Sequence, residues 1–193
     1  MNRVHNMLCS SGWWSRVAEH ELVPFGVHGV DLGDDVLEVG PGFGATTRVL
    51  APRVDRLTVV ELDPGYCERL RAELDGAVTV TQGDATQLPF ADGRFSAVLC
   101  FTMLHHIPTV EQQDRAFAEI ARVLRPGGTF AGTDSIGTGW LFRLIHVGDT
   151  LNLVDPDGLP ARLERVGLTV REVRRGGRSF RWRATKPSKP GRA

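Results

Sequence analysis

The sequence predicts an α/β fold: a mainly parallel sheet of seven strands, helices on both faces, and an antiparallel strand hairpin at the end. Three observations carry this. Short apolar runs alternate with amphipathic stretches from residue 35 to residue 135, the pattern of a parallel sheet built by crossovers. Those runs are close to continuously apolar, as strands are when both faces are covered. After residue 155 the pattern changes to one helix and two strands around Gly176-Gly177, which makes the last pair antiparallel.

Taken in order, "SSGWWSRVAEHELVPF" offers a serine cap, then Trp13, Trp14, Val17 and Leu22 at near-helical spacing, with a stop at Pro24. The two tryptophans are expected to anchor this helix by burying large area. "DDVLEVG" is the first strand, and "ATTRVLAPRV" a helix broken near Pro52. "RLTVVELD" is the second strand. "PGYCERLRAEL" is a helix with Pro64 in its first turn, where a missing N–H is tolerated. "AVTVTQGD" and "RFSAVLCFTML" are the third and fourth strands. "TVEQQDRAFAEIARVLRPGG" is a long helix ending at Pro-Gly-Gly, and "TFAGTDS" the fifth strand. "LPARLERVG" is the late helix, and "LTVREVRRGGRSFRWRATKP" the hairpin. The domain reading is one unit: an N-terminal helical cap over 1–33, a ligand-binding core over 34–135, a lid or substrate segment over 136–160, the late helix and hairpin over 161–185, and a frayed tail over 186–193.

Composition narrows the function classes. A chain of 193 residues suits one domain. Lys plus Arg and Asp plus Glu both number 23, which gives no general pull toward nucleic acid or anionic membranes. Cys9, Cys67 and Cys100 form no CxxC pair, which fits a reduced, cytoplasmic chain and no metal site. No apolar stretch approaches the roughly 20 residues of a membrane span. From Arg171 onward nine Lys or Arg residues face Glu172 alone, yet Arg181 and Arg183 alternate with Phe180, Trp182 and Ala184. That period reads as a solvated outer face of a half-buried strand, against an RNA-binding surface. The exposed hairpin also offers an edge for pairing with a second copy.

The chemistry-bearing signals lie at strand ends, where open α/β sheets bind ligands. Gly40, Gly42 and Gly44 close the first strand, permitting a tight turn and close approach of a ligand to the main chain. Glu61 ends the second strand, where a carboxylate can hold both hydroxyls of a ribose; Asp63 competes for that role. Neither feature separates a nicotinamide dinucleotide from another adenosine-containing ligand. At the end of the third strand, Gly83 precedes Asp84, which can accept from an adenine amino group, and the Ala85 amide can meet a ring nitrogen.

Four segments, "VLEVGPGFGATT", "VVELDP", "GDATQLPFADGRFSAVLCFTMLHHI" and "FAEIARVLRPGGTFAGTD", make the sequence resemble the class I S-adenosylmethionine-dependent methyltransferases. The likeness is closest to the small type that includes ubiquinone and menaquinone biosynthesis methyltransferases. The resemblance covers residues 35–134 and implies a Rossmann-like, doubly wound fold with S-adenosyl-L-methionine as cofactor. It implies that the Gly40-Pro41-Gly42 turn, through Gly44, wraps the methionine and ribose, with Glu38 near the ammonium end. Glu61, followed by Leu62, would hold the ribose, Gly83, Asp84 and Ala85 the adenine, and Phe101 would line the methionine part. Pro64-Gly65 and the lack of a large substrate domain depart from the family pattern; the second leaves substrate choice open.

The expected reaction is transfer of a methyl group to a small apolar acceptor. The alternative is a binding module or non-methylating catalyst, such as a cyclase, on the same scaffold. A nicotinamide oxidoreductase would want a Tyr-x-x-x-Lys pair, and Tyr66 is the single tyrosine. His106, then His105, are the candidate general bases, set against a reading in which "LHHI" merely shapes the turn. Asp134, with Ser135, can orient an acceptor hydroxyl or cap a helix. In the apolar stretch 136–160, Trp140 and His146 are candidate substrate contacts beneath a lid, or parts of a packed helix. Cys9 is a pocket candidate by position alone; Cys67 and Cys100 read as packing residues.

Overall fold

The computed structural model describes residue 7 and residues 11–74, 76–137 and 150–188. The N-terminal segment runs as α1 (Gly12–Val17), a π-helical stretch Ala18–Leu22, and α2 (Val23–Gly26). Then come β1 (Asp35–Val39), α3 (Ala45–Leu50), β2 (Arg56–Glu61), α4 (Pro64–Leu74), β3 (Thr79–Gln82) and β4 (Phe95–Phe101). α5 (Val110–Val123), β5 (Leu124–Ser135), α6 (Leu159–Arg165), β6 (Thr169–Arg175) and β7 (Ser179–Thr185) complete it. The strand order is β3-β2-β1-β4-β5-β7-β6, with β1 to β5 parallel and β7 antiparallel to both its neighbours. This is the predicted seven-stranded, doubly wound sheet. Its order reverses between β1 and β4, so the ends of β1, β2, β3 and β4 border one crevice.

Both faces of the sheet are covered because its strands bury side chains on each. Phe95, Phe117, Phe130, Phe180 and Trp182 form one core layer with α5 and α6. Val36, Leu50, Val59, Leu70, Leu99 and Ala131 form the other, closed by Val23 of the N-terminal helices. Thr109 caps α5 by accepting from the Gln112 amide at 3.2 Å, and the helix buries Ala116, Phe117, Ile120 and Ala121 along one stripe.

Several local expectations are corrected. The N-terminal helix does not stop at Pro24: the Val23 amide reaches back five residues to the Ala18 carbonyl, and Pro24 starts the following turn, where it needs no donor. Trp13 is 60% exposed, so it does not bury the large area expected of it; its ring lies against that of half-buried Trp14. α5 ends at Val123 rather than at Pro-Gly-Gly, because Leu124 turns extended and pairs with Phe95. Lys186, at the start of the expected tail, is fixed: its Nζ donates to the carbonyls of Ala121 and Leu124 at 2.7 Å each, closing the end of α5.

The arginines of β7 carry the largest correction. β7 lies inside the sheet, and Arg181 is buried rather than solvated. Arg181 Nη1 donates to the Phe25 carbonyl at 3.0 Å, its Nη2 to Glu172 at 2.8 Å, and the guanidinium lies over the Phe25 ring. Arg183 donates to the Gly29 carbonyl. The two therefore hold the carbonyl end of the N-terminal helices against the sheet. Arg181→Met is expected to lower stability by about 2–4 kcal/mol, since it strands a partly buried carboxylate and a backbone acceptor. Urea unfolding measures the loss, and faster amide exchange over residues 12–30 should accompany it.

Candidate active site

The site is built where β1, β2 and β3 end side by side. Backbone bonds tie the tips together: the Gly40 amide donates to the Val60 carbonyl and the Gly83 amide to the Glu61 carbonyl, both at 2.9 Å. Gly40, Gly42 and Gly44 all have positive φ, at 68°, 54° and 73°. A Cβ on Gly40 would strike the Met103 side chain at 2.2 Å, so this glycine is needed for packing as well as for its backbone angle. A Cβ on Gly42 would meet nothing within 4 Å. That glycine opens a space over the main chain, the cradle a ligand lying on the backbone requires.

Two carboxylates frame this turn. Glu61 is buried at the end of β2; its Oε2 accepts from the Gly42 amide and its Oε1 from the Asp63 amide, each at 3.0 Å. It therefore fixes the glycine turn while keeping further acceptor capacity for a ligand. Asp63 is turned to local work, its Oδ1 capping the Gly65 and Tyr66 amides at the start of α4. Glu38 is 1% exposed, and the hydroxyls of Thr46 and Thr47 at the start of α3 both donate to it, Thr47 at 2.6 Å. Burial pushes its pKa up to about 7, the threonine bonds oppose the rise, and the Glu61 charge adds to it. A buried carboxylate in this condition favours a nearby cation.

The third tip is more open. Asp84 is exposed and its Oδ1 accepts from the Thr86 amide at 2.7 Å, leaving Oδ2 for a ligand. Ala85 is half-buried behind it. Beyond them Arg122 binds Glu119, Asp92 and the carbonyls of Leu88 and Phe90, and Glu119 takes the Leu88 amide at 2.8 Å. This hub, which sequence reasoning missed, fixes the position of the Asp84 loop against α5. Leu62 is 65% exposed at the mouth of the site, an apolar side chain beside a polar tip.

The end of β4 supplies the other wall. Phe101 is buried, and a Cβ on Gly26 would lie 2.8 Å from its ring, so the N-terminal helix closes directly on it. Thr102 follows with φ at 50°, a strained angle of the kind that gathers at functional sites. Next comes a single 3₁₀ turn, Leu104–His106. His105 Nδ1 is hydrogen-bonded to Asp134 Oδ1, and its amide donates to Asp134 Oδ2 at 3.0 Å. Asp134 is wholly buried and also accepts from the Ser135 amide. Of the two roles the sequence leaves open, orienting an acceptor hydroxyl or capping a helix, the structure shows Asp134 behind His105, accepting from a backbone amide of the 3₁₀ turn. His106 is half-buried, with its ring centroid 4.2 Å from that of His105. Gln113 Nε2 donates to the carbonyls of Leu104 and Asn152, and Arg162 holds the Gln113 amide oxygen, so the histidine turn is braced from α5 and α6.

Trp140, His146 and Cys9 lie outside the described residues. Cys67 and Cys100 are free thiols packed in the interior. Among the described residues no His/Cys/Asp/Glu group is arranged to hold a metal ion, and no helix is long and apolar enough to cross a membrane.

The match to a family described as a methyltransferase domain runs over residues 37–132, from the first strand through the fifth. The chain belongs to the class I S-adenosylmethionine-dependent methyltransferases. The chain is 32% identical over 150 residues to 27-O-demethylrifamycin SV methyltransferase of Amycolatopsis mediterranei, a match covering 75% of this chain and 47% of that one. It is 28% identical over 188 residues to ubiquinone biosynthesis O-methyltransferase of Pseudomonas aeruginosa, covering 83% and 79%. The crystal structure of PH0226 protein from Pyrococcus horikoshii superposes with a TM-score of 0.78 at 19% identity, over 95% of this chain and 97% of that one. The chain spans about half the length of the first two curated relatives it matches.

Proposed function

We propose that this chain binds S-adenosylmethionine at the three strand tips and transfers its methyl group to a small, apolar acceptor. The observation that carries the reading is the pairing of buried Glu38 and Glu61 around the open backbone at Gly42. Glu38 suits the cofactor's ammonium, Glu61 its ribose hydroxyls, and Asp84 with the Ala85 amide its adenine. Phe101 and Met103 wall the methionine part. When bound, the cofactor supplies an activated sulfonium methyl, so the protein's main task is to position an acceptor in line with it.

His105 is the general base in this reading, with Asp134 as its positioning residue. The Asp134 bond at Nδ1 fixes the orientation of the ring, and in this reading the acceptor's proton passes to His105. The choice of His105 over its neighbour rests on that buried partner. Asp134→Asn is expected to lower kcat about 100-fold and to leave S-adenosylhomocysteine affinity within about threefold. Loss of kcat in His106→Gln but not in His105→Gln would reverse the assignment.

The activity itself is tested by incubating the protein with S-adenosylmethionine and a panel of phenols, hydroxylated polyketides and fatty acids. S-adenosylhomocysteine should accumulate with at least one class. Tight cofactor uptake with no turnover on any of them would favour a non-methylating role.

A further inference from the structure

α5 lays a buried stripe against the sheet at Gln113, Ala116, Phe117 and Ile120, the helical spacing of a core face. Gln113 is the polar member of that stripe and is 0% exposed. A methionine there would fill similar space with no polar group to satisfy. The amide is explained by what it holds. Arg162 Nη1 donates to Gln113 Oε1 at 2.9 Å, and a guanidinium can only donate, so the orientation of the amide is set. Its NH2 group is thereby turned to the carbonyls of Leu104 at 3.0 Å and Asn152 at 2.8 Å. Arg162 is itself fixed by Asp114, by the Val110 carbonyl and by the face of the Phe117 ring.

The object of this grip is the histidine turn. Leu104–His106 is a single 3₁₀ turn, with few internal bonds to hold its shape. The chain enters it through Thr102, whose φ of 50° is costly for a β-branched residue and persists only where the surroundings enforce it. The turn's carbonyls are taken from outside. Gln113 donates to that of Leu104, the Asn152 amide to that of His105 at 2.8 Å, and Asn152 Nδ2 to that of Ile107 at 3.1 Å. Gln113 also holds the Asn152 carbonyl, so both donors to the turn are joined at one side chain. From the other side Asp134 binds the His105 amide and ring. The imidazole is thus set between β5 and a polar clamp centred on Gln113.

We propose that Gln113 is a positioning residue for proton transfer by His105, holding the imidazole against Asp134 through the Leu104 and Asn152 carbonyls. The inference rests on the reading of His105 as general base and adds to it a side chain with no exposed surface of its own. Loss of the clamp should therefore lower the rate and spare binding.

Gln113→Met removes both donors at similar volume. It should fold, because the Leu104 carbonyl keeps the Ile107 amide as a donor and Arg162 keeps its other partners. Its kcat should fall about tenfold, with KM and S-adenosylhomocysteine affinity within about threefold of the parent. In a His105→Gln background the same change should cost less than about twofold, since a group acting through His105 has nothing left to position. Equal losses in the two backgrounds would mark general loosening and overturn the proposal. A second readout needs no acceptor. The proton shared by His105 Nδ1 and Asp134 is followed by NMR at low field and assigned by its loss in Asp134→Asn. In Gln113→Met it should exchange with water at least about tenfold faster. Asn152→Asp, at a half-buried position that folding tolerates, replaces the Nδ2 donor with an acceptor and should speed exchange by a smaller factor. Unchanged exchange in both variants would overturn the proposal. Faster exchange in a protein that turns over no acceptor would uphold the positioning of His105 and count against the methyl-transfer reading alone.

Discussion

Glu61→Gln should weaken S-adenosylmethionine binding at least about 100-fold, the loss of roughly 2.7 kcal/mol. The carboxylate does two jobs that the amide cannot share. It accepts from the Gly42 and Asp63 amides through separate oxygens, and in the proposed reading it also accepts from the ribose diol. A glutamine offers a single oxygen, so its NH2 group must face one of those amides, donor against donor. Bonds to a charged acceptor are worth about 1.5–3 kcal/mol each, so losing one of them to the turn and weakening those to the ligand reaches the stated loss. Glu61→Asp keeps the charge on a shorter stem and should fall between the two. Isothermal titration with S-adenosylhomocysteine measures the effect, with the far-ultraviolet spectrum as the check on folding. Binding within threefold of the parent would remove Glu61 from the site.

The three tips were legible in the sequence because each is a local signal: an apolar run stops, and a glycine or acid follows it. Strand identity came from the same runs, since a strand covered on both faces shows little alternation. What stayed hidden joins residues that only the sheet brings together. Asp134 reaches His105 across 29 residues because β4 and β5 end side by side, and nothing in either segment announces the partner. Thr46 and Thr47 read as ordinary helix residues until the turn folds them back over Glu38. The alternation of Arg181 and Arg183 with aromatic residues was sound as a period, and it placed them on one face. It could not say that the N-terminal helices cover that face, so a buried Arg181 and a half-buried Arg183 read as solvated. The π stretch before Pro24 is likewise invisible to a rule that ends helices at proline.

Glu38→Gln should make the unliganded protein more stable at pH 8 while impairing its use of the cofactor. The folded-state pKa of Glu38 lies near 7, above its ordinary value of 4.5, because burial disfavours the charge more than the two threonines favour it. The stability linked to its neutral form is therefore complete below pH 4.5 and is lost as the pH rises through 7. A displacement of that size corresponds to about 3 kcal/mol. The glutamine stays neutral, so its unfolding free energy should lack this decline, and urea midpoints of the two proteins should diverge between pH 5 and pH 8. Thr46 and Thr47 can still donate to the amide oxygen, which limits any packing cost. The cofactor reverses the balance, because a bound ammonium favours the carboxylate. Binding at pH 6 should then release a fraction of a proton in the parent and none in Glu38→Gln, measurable by calorimetry in buffers of different ionisation enthalpy. The variant's affinity should fall about tenfold at pH 8, where the parent's carboxylate is already charged, and by less at pH 6. Equal proton release in both proteins would show that the linked group lies elsewhere and would separate Glu38 from the ammonium it is assigned to hold.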